Sequence, residues 1–214
     1  MKKFSYAILV VMLSTCPVEA VEVGKSLFQD DFSNPASGWI SADLNDVSFG
    51  YAHGVRRIVI KRGDVSSHDL LPGRTFGNVS VEADATFISG VPNANFFGVI
   101  CRATADSVLR TAYQFVVNAD GVYVLLKLTG PQLGQRQEVN AGKSDALRTG
   151  NATNRIRADC AGHHLVMYAN GRELLRVEDV DFSAGQVGFA IISAVNSKGF
   201  EVHFDNFVVR EAKP

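Results

Sequence analysis

The chain has 214 residues, with 21 Lys and Arg against 22 Asp and Glu and a formal net charge of −1. No basic block or stripe rises out of that balance, which argues against nucleic acid or an anionic membrane surface as a partner. Phe accounts for 14 of the aromatic residues, against five Tyr and one Trp, so the aromatic mass favours a buried core over amphipathic rings at a surface.

At the N-terminus, Lys2 and Lys3 precede the apolar run Tyr6 to Leu13, and Val18-Glu19-Ala20 has the small-x-small form of a cleavage site. Residues 1–20 read as a signal peptide and 21–214 as one exported domain, periplasmic or extracellular. The apolar run falls short of the roughly 20 residues that cross a bilayer, which disfavours a membrane anchor. Leu13-Ser14-Thr15-Cys16 resembles a lipobox, with Thr15 a poor fit before the acylated Cys. Removing Lys2, Lys3 and Glu19 leaves 19 basic and 21 acidic residues. The mature chain keeps Cys101 and Cys160. In an oxidising compartment these two pair as a disulfide; the alternative is two buried free thiols.

From residue 46 onward almost every segment alternates with period two or is a short apolar run. Strands are predicted near 46–52, 55–61, 77–88, 95–103, 111–118, 121–129, 153–161, 164–170, 172–178, 186–193 and 200–210. Ser41–Asp46 and Ser66–Leu71 each read as a helical turn. Asp120-Gly121 and Asn170-Gly171 are two-residue hairpin turns, with His53-Gly54 and Ala161-Gly162 as weaker examples. Many short strands at this spacing predict an all-β, antiparallel β-sandwich or barrel. The last strand raises a question, because "EVHFDNFVVR" carries Asp205-Asn206 in its middle, and strands avoid both residue types.

Alternation also sorts faces. Val79, Val81, Ala83, Ala85 and Phe87 share one face, with Ser80, Glu82, Asp84 and Thr86 opposite. Tyr113, Phe115 and Val117 oppose Gln114 and Val116; Tyr123, Leu125 and Lys127 oppose Val122, Val124, Leu126 and Leu128. A binding module needs a concave polar surface, one or two stacking rings and a few fixed donors. The candidate ligand residues are therefore Arg102, Tyr113, Tyr123 and Lys127. The plainer reading has the two tyrosines flanking the core and the two cations solvated.

The segments "LFQDDFSNPASGW", "FFGVICR", "YANGREL", "SAGQVGFAI" and "VHFDNFVV" together resemble exported bacterial β-sandwich proteins of the concanavalin A-like lectin/glucanase superfamily, related to 3-keto-disaccharide hydrolase-type domains. The likeness runs from Leu27 to Val209 and rests on turn and core residues. It implies a jelly roll whose concave sheet binds or cuts sugars, and N- and C-terminal strands lying side by side. Such pairing brings Asp30 and Asp31 near Asp205, where like charges would need a cation or several donors. A structural calcium ion, as in relatives of the superfamily, is one solution; capping and backbone hydrogen bonds are the other.

A laminarinase-like glycosidase needs paired carboxylates, supplied in that branch by E-x-D-x-E on one strand. The nearest stretch, Glu82-Ala83-Asp84-Ala85-Thr86-Phe87, lacks the second Glu. His163-His164 reads as an exposed turn and not as a metal-binding pair, since adjacent residues of a strand cannot share one face. The sequence thus predicts a non-catalytic carbohydrate-binding sandwich. The alternatives are a hydrolase or lyase acting on a modified disaccharide or glycan, and a structural envelope protein with no small ligand.

Overall fold

The structure is a computed structural model, and it describes residues 20–105, 109–130, 135–195, 197 and 199–214. The signal-peptide expectation falls on residues outside these. The described chain forms two antiparallel sheets. The first has nine strands, in the order β13 (Arg172–Glu178), β12 (His164–Ala169), β11 (Thr153–Ala161), β6 (Val79–Ser89), β15 (Phe200–Lys213), β4 (Val55–Ile60), β3 (Val47–Ala52) and β2 (Ala42–Asp43), with β1 (Glu22–Asp30) also paired to β15. The second has six, in the order β10 (Arg136–Lys143), β9 (Val122–Leu128), β8 (Leu109–Val117), β7 (Phe96–Ala105), β14 (Gln186–Ile192) and β5 (Ser66–Leu70). The predicted antiparallel sandwich is the observed architecture.

Four strands depart from expectation. Ala42–Asp43, inside the segment expected to be a helical turn, is the short strand β2 paired with β3. Ser66–Leu70 is the edge strand β5 and not a helical turn, because its pairing with β14 outweighs a short local preference. β1 and β10 carry too few apolar residues to show a period of two, yet each pairs along its length with a hydrophobic neighbour. At the hairpin turns, Asn170 and Gly171 both have positive φ, at 50° and 84°, as a tight primed turn requires.

The interruption in β15 is a β-bulge. Asp205 pairs with Asp84 while Val208 pairs with Glu82, so one extra residue sits in β15, and Asn206 takes φ 49°. Asn tolerates this left-handed conformation better than most residues. On the opposite edge of β15, Phe200–Phe204 pairs with β4 and Phe207–Lys213 pairs with β1. Asp205-Asn206 is therefore where the closing strand changes partner.

The sheets pack through a shared core. Phe189 of β14 stacks on Phe204 of β15 at 4.0 Å between ring centroids, and Trp39 stacks on Phe189 at 5.2 Å. Cys101 of β7 is bonded to Cys160 of β11, a covalent tie between the two sheets.

Candidate functional site

The four residues expected to bind ligand lie on the inner side of the six-stranded sheet. Tyr113 and Lys127 are cross-strand partners, as are Val117 and Tyr123, and their shared face packs on the core between the sheets. The Tyr113 hydroxyl donates to Asp179, and Lys127 Nζ lies 2.5 Å from both Asp179 Oδ2 and Asp181 Oδ2. Burial and the bond to Asp179 push the Tyr113 phenol well above its usual range. Burial opposes the Lys127 charge, but the two carboxylates outweigh it and raise its pKa. Arg102 is 1% exposed. It donates to the carbonyls of Phe182 and Gly162, at 2.7 and 2.8 Å. Arg102, Tyr113 and Lys127 thus pin the segment after β13 across one end of the sandwich, which occupies the Tyr113 hydroxyl, the Lys127 ammonium and the two terminal nitrogens of Arg102. Tyr123 packs half-buried on the core elsewhere. Alternation correctly put Tyr123 with Lys127 and Tyr113 with Phe115, but it set Arg102 opposite Cys101, on the side of Ile100, and the register shift in β7 after Cys101 breaks that pattern. It could not identify the interior face, because the opposite face is apolar too.

That opposite, outer face carries a second apolar cluster: Ile100, Ala112, Val116, Val124, Leu128 and Ala190, with Leu70, Phe96, Leu126 and Ile192 packed around it. Ile100, Val116 and Ala190 are fully buried although they point away from the main core. The sheet is curled. Arg136, on edge strand β10, donates to the Ser66 hydroxyl on the opposite edge strand β5. Cross-strand pairing with Leu128 and Ile192 puts both residues on the outer face. This face is therefore concave, and the two edges meet over it. Glycines permit the curl: a Cβ at Gly98 would lie 2.0 Å from the Phe115 carbonyl oxygen, and one at Gly188 2.1 Å from that of Asp69.

Polar side chains are few in this cleft, and they are poorly satisfied. Gln114, 1% exposed between Ile100 and Leu126, has a buried Oε1 with no hydrogen-bond partner. His68, paired with Ala190, has its pKa lowered by burial and is held neutral. Arg136 has a buried Nε without a partner, and burial lowers its pKa. Buried polar atoms without a partner are uncommon in folded proteins, and two of those in this protein lie on this face. The sequence signal for the site was available in the alternation of β8 and β9, where Gln114 shares a face with Val116, Val124 and Leu126.

The acidic residues lie elsewhere. Glu82 and Asp84 are on the outside of the nine-stranded sheet. Glu82 accepts from Arg155 at 2.9 Å and Arg210 at 3.0 Å, and Asp84 accepts from Asn206 at 2.8 Å. The terminal strands do run side by side, which brings Asp30 and Asp31 to one cleft and puts Asp205 within reach of the Asp31 charge. Asp30 already accepts from Phe32 N at 2.8 Å, Ser37 Oγ at 2.5 Å and Trp39 Nε1 at 3.0 Å. It anchors the aromatic plug. Asp31 and Asp84 line an open cleft of about 710 Å³ beside Asn206. Asp205 has its pKa raised by burial and then by the nearby charges of Asp84 and Asp31.

Among the described residues, the group whose donor atoms converge closely enough for a metal is His163, His164 and Glu178, within 4.8 Å of one another. Gly162-His163 forms the turn between β11 and β12, so the chain rotates between the two histidines and the strand-alternation argument against their convergence does not apply.

This geometry defines a concanavalin A-like β-sandwich with a curled sheet. Among solved structures, the chain is similar to a carbohydrate binding module (CBM66) from Bacillus subtilis, with 17% identity, a TM-score of 0.55, and coverage of 81% of this chain and 96% of that one. It is similar to a Bacillus subtilis protein of unknown function with a galectin-like fold, at 14% identity and a TM-score of 0.68 over 90% and 99% of the two chains. The β-glucanase of Bacillus licheniformis matches at 13% identity and a TM-score of 0.60 over 88% and 98%. At these identities the likeness speaks for the fold. No protein-family model matches the chain, and no curated protein matches it in sequence.

Proposed function

We propose that this protein is an exported carbohydrate-binding sandwich that holds its ligand in the curled outer face of the six-stranded sheet, without cutting it. The observation that carries the reading is the unpaired, buried Oε1 of Gln114 at the centre of a concave apolar face. A sugar offers apolar C–H patches for the half-buried Leu126, Phe96 and Ile192 and hydroxyls for Gln114 and His68. Solved structures sharing the fold include a carbohydrate binding module and glucanases, which supports a sugar over other small ligands. The Cys101–Cys160 disulfide supports an oxidising compartment, in line with export.

The non-cutting part of the reading draws on the placement of the acids. Glu138 is the carboxylate that cross-strand pairing with Leu126 puts on this face among the described residues. Glu82 and Asp84 sit on the other sheet, bound to arginines and to Asn206. Glycoside hydrolysis by the usual route needs two carboxyl groups flanking one bond.

The test is a glycan-array screen of the mature domain beside Gln114→Leu, with Asp205→Asn in the other sheet as a control. Binding by wild type and Asp205→Asn, lost in Gln114→Leu, is the expected result. Binding that survives Gln114→Leu would move the site off this face, and a blank array would favour an envelope protein without a small ligand. Products released from a bound glycan would turn the reading to a hydrolase or lyase.

A further inference from the structure

Among the described residues, the cleft holds a cation with no carboxylate paired to it. Arg136 is half-buried on the concave face, its Nε is shielded from solvent without a partner, and among the described residues its guanidinium donates to the neutral hydroxyl of Ser66. Other arginines withdrawn from solvent are paired differently: Arg56 with Asp69, Arg57 with Glu201 and Arg155 with Glu82 and Asp84, while Arg102 donates to two backbone carbonyls. Glu138 lies two residues along on the same strand face, yet it forms no ion pair with Arg136 and stands exposed. Withdrawing a guanidinium from water without a carboxylate is costly, and Arg presents a fork of donors that matches a planar carboxylate in two parallel bonds.

Gln114 has the complementary need. Its buried Oε1 accepts and has nothing to accept from, so it calls for a hydroxyl. The neutral imidazole of His68 serves a hydroxyl equally well as donor or acceptor. Leu126, Phe96 and Ile192 supply the apolar lining between. One ligand satisfies all of these demands together: a sugar with free hydroxyls, an apolar ring face and a carboxylate.

We infer that the ligand of this cleft is an acidic glycan, a uronic-acid-containing oligosaccharide whose carboxylate takes Arg136 away from Ser66. The inference rests on the reading of the cleft as a sugar site. Because the Arg136–Ser66 contact joins the two sheet edges across the face, the incoming carboxylate exchanges a weak neutral partner for a charge-assisted pair and parts the edges over the bound ring.

The experiment is calorimetric titration with matched pairs: a uronic-acid oligosaccharide and the neutral oligosaccharide made from it by carboxyl reduction, over several linkages. Wild type is expected to bind the acidic member at least tenfold more tightly, with the difference shrinking in high salt. Arg136→Gln should weaken the acidic ligand at least tenfold more than the neutral one, and Arg136→Lys should retain part of the preference. Thermal unfolding of each variant separates loss of binding from loss of fold. Equal or better binding of the neutral member, unaffected by Arg136→Gln, overturns the acidic-ligand inference and leaves the sugar site standing. Failure of every pair to bind overturns the sugar site itself.

Discussion

Arg56 of β4 and Asp69 of β5 form an ion pair between the two sheets, 2.6 Å from Nε to Oδ2, with the arginine side chain fully buried. The guanidinium also donates to the Ile40 carbonyl at 2.7 Å and lies 5.1 Å from the Tyr51 ring centroid. Removing one partner strands the other as an uncompensated charge. Asp69→Ala should lower unfolding stability by about 3–5 kcal/mol, whereas the double apolar variant Arg56→Met/Asp69→Leu should fall much less. Denaturant titration of the three proteins checks this; equal losses in the single and double variants would show that packing, and not the stranded charge, sets the effect.

The disulfide spans 59 residues of sequence between β7 and β11. By chain-entropy reasoning, closing a loop of that length stabilises the native state by about 4 kcal/mol. Cys101→Ser/Cys160→Ala should lose most of that amount while keeping the far-ultraviolet spectrum of a β-sandwich. A loss below about 1 kcal/mol would place the tie outside the stabilising framework.

Asp205 sits at the bulge with Asp84 and Asp31 as like-charged neighbours, and burial and these charges raise its pKa. As pH rises from its ordinary 3.8 through the raised folded value, the folded state holds more protons than the unfolded chain, so stability falls. Asp205→Asn should flatten that decline and, at pH 7, raise stability by up to about 0.5 kcal/mol. A calcium ion shared by Asp205 and Asp31 would reverse the sign. Wild type would then melt higher with added calcium than with EDTA, and Asp205→Asn would lose that increment.

His68 gives the opposite dependence. Burial lowers its pKa below 6.5, so as pH falls from about 6.5 through the lowered folded value, the unfolded chain takes up a proton that the folded cleft refuses, and stability is lost. His68→Gln should remove this acid sensitivity without altering the curve above pH 7. Ligand affinity in the cleft should decline over the same acid range in wild type if the neutral imidazole contacts the sugar.

What the amino-acid sequence determines by itself is local: the period of two along β6 to β9, the turn chemistry at Asn170-Gly171, and the grouping of Tyr113, Tyr123 and Lys127 on one face. These follow from pleat geometry and left-handed turn residues, which need no knowledge of partners. The pairing of β1 with β15 and of Cys101 with Cys160 was also legible, through the family likeness and the two mature-chain cysteines. Which face of β8 and β9 is interior was not, because both faces are apolar and only the arrival of the nine-stranded sheet assigns one to the core. The cleft itself comes from curvature. Arg136 and Ser66 lie 70 residues apart, on strands that their own segments scarcely announce, and they meet because Gly98 and Gly188 let the sheet close on its outer side.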